Sequence, residues 1–225
     1  MANQTVANYG AARATGDLVN APQGIETEFM VNNRGDLCIA QALPPAAEFT
    51  RMNRSYELAI ATASAFTYVA AWPTTRGELV LYNGEAAGGL SYVIENAWMY
   101  NITSMGASQP MTLIGQLVAA AAVVPTDDTA QLISSRSGRA TYGGKAKKAV
   151  ANTAAGQLAN LWRVLASSVI PAPTTNLGAA LFADIGGRVI VPPGGVYALA
   201  GIAGTAVGTA IIGVSWSEVQ LAFGN

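Results

Sequence analysis

The chain has 225 residues, with 12 basic and 13 acidic side chains, no histidine and a single cysteine. Without histidine there is no imidazole-dependent nucleophile or metal site, and Cys38 alone cannot form a disulfide framework or a thiolate zinc site. A formal net charge of −1 gives no basic footprint for nucleic acid. We therefore expect no enzymatic activity, no cofactor, no bound metal and no nucleic-acid partner.

Charged side chains are sparse for a chain of this length. They make up 11% of the residues, against about 25% in ordinary soluble domains. Hydrophobic residues reach 51% and there are 24 glycines, so small neutral side chains must cover much of the surface. Such a surface favours permanent burial against copies of the same chain or residence in a particle. The alternative is an alanine- and glycine-rich composition without functional meaning.

Residues 1–25 are predicted to form an irregular N-terminal arm, because they show no sustained periodicity and contain Pro22 and Gly24 near their end. Ordering a residue costs about 1–2 kcal/mol of backbone entropy, so an arm with few large apolar groups cannot fold on itself. It is either a disordered tail or a segment that contacts a neighbouring subunit. The expected contact residues are Val6, Tyr9, Leu18, Val19 and Ile25.

From residue 26 the chain alternates between apolar and polar residues, with turn signals at short intervals. This pattern predicts half-buried strands, for example around Phe29 and around Leu58. Phe66, Tyr68, Ala70 and Trp72 share one face of a predicted strand, which places Trp72 in the core. Asn83-Gly84 predicts a tight turn, and further strands are expected up to Pro125.

The second half contains the one predicted helix and the last strands. Residues 145–156 have apolar side chains at helical spacing, whereas residues 158–169 fit a helix or a strand, with strand favoured. Strands are predicted at 178–185, 187–191, 196–202 and 207–221. The apolar phase switches after Trp216, which indicates a bulge or a strand that changes sheets. Trp216 itself is predicted to lie in the core.

Residues 196–214 are apolar enough and long enough to suggest a membrane span. The turn cluster at 192–195 and the recurring glycines favour strands instead, and no basic residues flank the segment to orient it. We expect no membrane partner. About ten short strands with Gly and Pro turns predict an all-β sandwich or barrel over residues 26–225, with at most one short helix.

Four segments resemble viral proteins. RVIVPPGGVYAL and GTAIIGVSWSEVQL, within residues 188–221, resemble the closing strands of viral jelly rolls. TTRGELVLYNGE (74–85) and TNLGAALFADIGGR (175–188) add a similarity to phage virion proteins. The chain is thus similar to jelly-roll head decoration (cement) proteins of bacteriophages.

The resemblance implies a jelly-roll antiparallel β-sandwich and a structural role in the virion. It implies a capsid decoration subunit that forms a homotrimer on the lattice of the major capsid protein. It also implies a location at the capsid surface after assembly in the host cytoplasm, with the arm contacting a neighbouring subunit or that lattice. Jelly rolls also serve as carbohydrate-binding receptor tips and as capsid shell proteins, which remain the alternatives.

Several further motifs have a functional and a structural interpretation. The glycine-rich loop at 138–145 lacks the spacing of a phosphate-binding loop, and Asp127-Asp128 lacks the other ligands of a Ca²⁺ site. Three carboxylates are candidates for a glycosidase pair, although edge protection explains them equally well. These are Glu78, Glu85 and Glu95.

The basic and aromatic residues have the same ambiguity. Lys145, Lys147 and Lys148 are the only lysines, and a solvated helix face accounts for them without nucleic acid. Four aromatic residues offer a sugar-stacking platform, although aromatics on alternating strands more often lie in the core. They are Tyr82, Tyr92, Trp98 and Tyr100.

Overall fold

The computed structural model of the protein describes residues 45–74, 76–103, 106–118, 124–126, 131–138, 142, 144–152, 161–170 and 179–221. The β-rich unit comprises residues 44–225. The predicted arm with Val6, Tyr9, Leu18, Val19 and Ile25, the strands expected before Pro44 and the Asp127-Asp128 pair lie outside the described residues.

Eleven strands and one short helix are found in this part of the chain. The helix α1 (Pro45–Arg51) comes first, and a single 3-10 turn covers Thr62–Ser64. The strands are β1 (Ser55–Ile60), β2 (Phe66–Thr67), β3 (Gly77–Asn83), β4 (Leu90–Asn101), β5 (Gln109–Val118), β6 (Gln131–Ser135), β7 (Ala146–Asn152), β8 (Arg163–Ile170), β9 (Ala180–Val191), β10 (Val196–Ala203) and β11 (Thr209–Gln220).

The strands form two antiparallel sheets that pack as a sandwich. Sheet I has the order β6-β1-β11-β4-β9, with β2 also pairing with β11, and sheet II has the order β7-β3-β10-β5-β8. Without β2, β6 and β7, eight strands remain. Among them β1 pairs with β11, β3 with β10, β4 with β9 and β5 with β8, so the first strand pairs with the last and each following pair is nested inside the one before. This nested pairing is the topology of a jelly roll. The predicted all-β, jelly-roll-type antiparallel sandwich is confirmed.

The core between the sheets is built from alternate side chains of the paired strands. Leu58 of β1 and Val214 of β11 are cross-strand partners and both are buried, as the side-chain period of two requires. Trp216 is fully buried, so its predicted place in the core is confirmed. Its ring centroid lies 5.9 Å from those of Tyr56 and Tyr92 and 6.3 Å from that of Tyr142. Four aromatic rings therefore close one end of the core.

Sheet II also buries apolar residues on its other face. In β10 the side chains alternate between the core and a second apolar cluster, and nearly all of them are buried. Burial on both faces makes β10 almost continuously apolar. This explains why residues 196–214 resemble a membrane span in sequence. No helix among the described residues is long and apolar enough to cross a membrane. The second cluster contains Val80, Ile114, Trp162, Val196, Ala198 and Ala200.

The predicted core position of Trp72 is wrong. The strand that begins at Phe66 ends at Thr67, and the chain bends before Trp72 is reached. The alternation of sides holds only while the backbone remains extended and paired. Tyr68 still reaches the core, but 46% of the Trp72 surface is exposed.

Three other local predictions need correction. Within the helix expected at 145–156, residues 146–152 form the strand β7 and pair with β3, whereas the favoured strand at 158–169 is confirmed as β8 for its described part. Asn83-Gly84 does not connect a hairpin, because β3 and β4 belong to different sheets. The bulge expected in the last strand exists, but the extra residue is Glu95 of the neighbouring β4, and β11 stays in sheet I.

Candidate interaction surfaces

Two aromatic side chains, Trp98 and Phe182, are cross-strand neighbours on the outer face of sheet I, and we call them the aromatic row. Trp98 of β4 lies between Gly213 of β11 and Phe182 of β9, which are its cross-strand partners on either side. A Cβ atom on Gly213 would lie 2.2 Å from the indole, so only glycine lets this ring lie against the backbone of β11. The indole nitrogen donates a hydrogen bond of 2.9 Å to Oε1 of Glu57. Phe182 remains 64% exposed.

A polar row runs beside the aromatic one. The adjacent cross-strand set carries Glu57, Ser215, Asn96 and Asp184 on the same outer face of sheet I. The bulged residue Glu95 adds a further carboxylate, which accepts hydrogen bonds from Ser217 and from Arg136. Rigid aromatic rings therefore stand next to fixed hydrogen-bond acceptors, an arrangement suited to a ligand with apolar faces and hydroxyl groups.

The strand at the end of sheet II carries two exposed apolar side chains. Among the described strands, β8 ends this sheet. Val164 and Val169 of β8 are 55% and 65% exposed, and their cross-strand partners Ile114 and Pro110 place both on the outer face of sheet II. We call these two residues the edge patch. Long edge strands with exposed apolar residues favour pairing with another chain unless something covers them.

Glu218 is a carboxylate buried inside the aromatic end of the core. It is 5% exposed, and Tyr142 donates a hydrogen bond of 2.9 Å to its Oε1 atom. The Tyr142 oxygen in turn accepts a hydrogen bond from the backbone N–H of Ala146. Burial raises the pKa of the Glu218 carboxyl above its ordinary value, and the hydrogen bond from Tyr142 partly offsets this. Burial likewise raises the pKa of Tyr142.

The three predicted carboxylates do not form a shared site. Glu78 of β3 and Glu95 of β4 lie in different sheets, and each contacts its own arginine, Arg76 and Arg136. Glu78 is nearly buried, and burial raises its pKa while Arg76 at 3.2 Å lowers it. Glu85 follows β3 in a turn, where its N–H bonds the side-chain oxygen of Asn83.

The four predicted platform aromatics separate into three places. Trp98 and Tyr100 share the outer face of sheet I, as their spacing in β4 implies. Tyr92 is fully buried beside Trp216, and Tyr82 lies on sheet II against the second apolar cluster. Phe182 joins Trp98 only through strand pairing, so no local sequence signal could have found it.

The lysines do not form one basic face. Lys145 precedes β7, and Lys147 and Lys148 are consecutive residues of this strand, so their side chains point to opposite sides. Lys147 is exposed and Lys148 is half-buried. Among the described residues no group of three or more acidic or cysteine side chains is arranged to hold a metal ion.

The comparisons with protein-family models, curated proteins and solved structures found no match to this chain.

Proposed function

We propose that this protein is a structural virion protein, a jelly-roll capsid decoration subunit that associates with copies of itself and stabilises a phage head. The homotrimer and the lattice of the major capsid protein are parts of this proposal. It is supported by the jelly-roll pairing of the two sheets, an architecture common in viral capsid proteins, and by the low fraction of charged residues.

The edge patch is the observation that carries the proposal. Val164 and Val169 are each more than half exposed, and they share the outer face of the strand that ends sheet II among the described strands. Burying these side chains between subunits would contribute about 25 cal/mol per Å² of apolar area removed from water. Repeated contacts on a symmetric shell would then add avidity to a weak single contact.

The test compares charged substitutions inside and outside the edge patch. The double variant Val164→Glu/Val169→Glu places two carboxylates in the proposed interface, where burying unpaired charge is costly. The matched control Val207→Glu changes a residue that is 49% exposed between β10 and β11. Sedimentation velocity should show a homo-oligomer for the wild type and the control, and a monomer for the folded double variant. A wild-type monomer at micromolar concentration would contradict the proposal.

A second function, carbohydrate binding, is favoured by the aromatic row beside the polar row on sheet I. Trp98 is fixed by Gly213 and Glu57, and Phe182 offers an exposed ring, so a sugar ring has a rigid surface on which to stack. A glycan array with the wild type and Trp98→Ala tests it. Binding that this substitution abolishes would support a receptor-binding role, and an array without any signal would exclude it for the glycans present.

A further inference from the structure

A cavity of about 240 Å³ lies between the two sheets, on the side where β8 and β9 approach each other. Its walls come from three strands of sheet II, one strand of sheet I and Leu161, which precedes β8. It belongs neither to the aromatic row nor to the edge patch. The lining residues are Gly115, Leu117, Leu161, Arg163, Leu165, Val189 and Tyr197.

Most of the cavity wall is apolar. Leu165 and Val189 form its inner part and pack against the core between the sheets. Leu117 and Leu161 are 38% and 40% exposed, so they form a mouth that is open to solvent. An aliphatic group that enters this space would leave water and contact branched side chains from both sheets.

One wall carries a buried hydroxyl group without a hydrogen-bond partner. Tyr197 is 2% exposed, and no donor or acceptor in the described structure bonds its oxygen. Buried polar groups are nearly always hydrogen-bonded, so an unpaired hydroxyl beside a cavity points to a partner that occupies it. A Cβ atom on Gly115 would lie 2.6 Å from this oxygen, so the hydroxyl fits here only because residue 115 has no side chain.

The same wall carries a positive charge. Arg163 of β8 is the cross-strand partner of Gly115, so its side chain is on the cavity side of sheet II. Its guanidinium donates a hydrogen bond of 3.2 Å to the carbonyl oxygen of Trp162. No acidic side chain is among the described residues that line the cavity. A hydroxyl donor and a guanidinium on one wall are a suitable pair of groups for a carboxylate.

We propose that this cavity binds a small amphipathic carboxylate, with its aliphatic chain between Leu165 and Val189 and its carboxylate at Arg163 and Tyr197. A cavity of about 150 Å³ holds benzene, with six carbon atoms, so by proportion this one holds roughly ten non-hydrogen atoms. Octanoate has this size. The proposal does not depend on the virion role, because it rests on the cavity and its two polar groups alone.

Calorimetric titration of the full-length protein with octanoate and with 1-octanol tests the proposal. We expect one octanoate per chain, bound about tenfold or more tightly than 1-octanol, because the alcohol lacks the charge that Arg163 attracts. Arg163→Gln should lower octanoate affinity about tenfold and leave 1-octanol affinity nearly unchanged. Tyr197→Phe should weaken both ligands, because it removes the hydroxyl and keeps the ring. Arg188→Gln, an exposed site on β9, is the matched control.

Leu165→Trp fills the cavity and should abolish binding of both ligands. A cooperative thermal transition of each variant shows that it is folded. Tyr197→Phe and Arg163→Gln each remove one polar group of the wall, so they test the two groups independently. Absence of saturable binding of either ligand to the wild type would overturn the proposal. Equal affinity for octanoate and 1-octanol would refute carboxylate recognition, and octanoate binding that survives Leu165→Trp would place the ligand elsewhere.

Discussion

Two tryptophans of this chain occupy opposite environments, and replacing each by alanine tests the packing of the jelly roll. Trp216 is fully buried and lies against three tyrosine rings, whereas Trp72 is 46% exposed after the end of β2. The same chemical change therefore creates a cavity at one site and removes a surface contact at the other.

The size of each effect follows from the contacts. Truncating a buried Trp to Ala costs about 3–5 kcal/mol, and each aromatic pair adds about 0.5–1.5 kcal/mol beyond the buried area. Because Trp216 has three such neighbours, we expect Trp216→Ala to lower the free energy of unfolding by about 5 kcal/mol. Trp72→Ala should cost about 1–2 kcal/mol, because about half of that side chain already lies in water.

Guanidinium titration followed by far-UV circular dichroism measures both variants. Wild type and variants are compared at one protein concentration, because self-association would add to the apparent stability. A loss for Trp216→Ala no larger than the loss for Trp72→Ala would refute the assigned core.

Three further predictions concern two buried contacts and the N-terminal arm. Burial raises the pKa of Glu218, so the folded state binds an additional proton at pH values between the unfolded and folded pKa, and the free energy of unfolding falls as the pH rises through this interval. In urea titrations at several pH values, Glu218→Gln should reduce this fall, and an unchanged pH dependence would contradict the prediction. Gly213→Ala should cost about 1–3 kcal/mol in thermal melts, because its Cβ would collide with Trp98, and a neutral effect would contradict the stacked ring. Deleting residues 2–24 should leave the melting temperature of the sandwich nearly unchanged within a given assembly state, and it should weaken oligomerisation as measured by light scattering. Unaltered oligomerisation would mean that the arm makes no stabilising contact with a neighbouring subunit.

The sequence predicts strands well where alternation continues over a paired and extended backbone. Leu58 and Trp216 are placed correctly because β1 and β11 pair with each other without a register shift around them. Trp72 was misplaced because nothing in the apolar pattern marks where pairing with a neighbouring strand ends. Residues 145–156 fit a helical spacing, but pairing with β3 overrides that local preference.

The candidate sites were less accessible to sequence analysis than the fold. Trp98 and Tyr100 share a face because they are two residues apart, which is a local property. Phe182, Glu57 and Gly213 reach the same surface through pairing between strands that are distant in the chain. The cavity depends on Gly115 and Tyr197 from neighbouring strands, and their proximity has no signature in either segment.

The copy number of this protein in purified particles tests the proposed role most directly. Quantitative mass spectrometry of virions that encode this chain measures its ratio to the major capsid protein. A decoration subunit should be present in many copies, at a fixed ratio to the shell protein that repeated washing does not reduce. Absence from the particle would contradict the structural role, and presence only at the tail tip would favour the receptor-binding alternative.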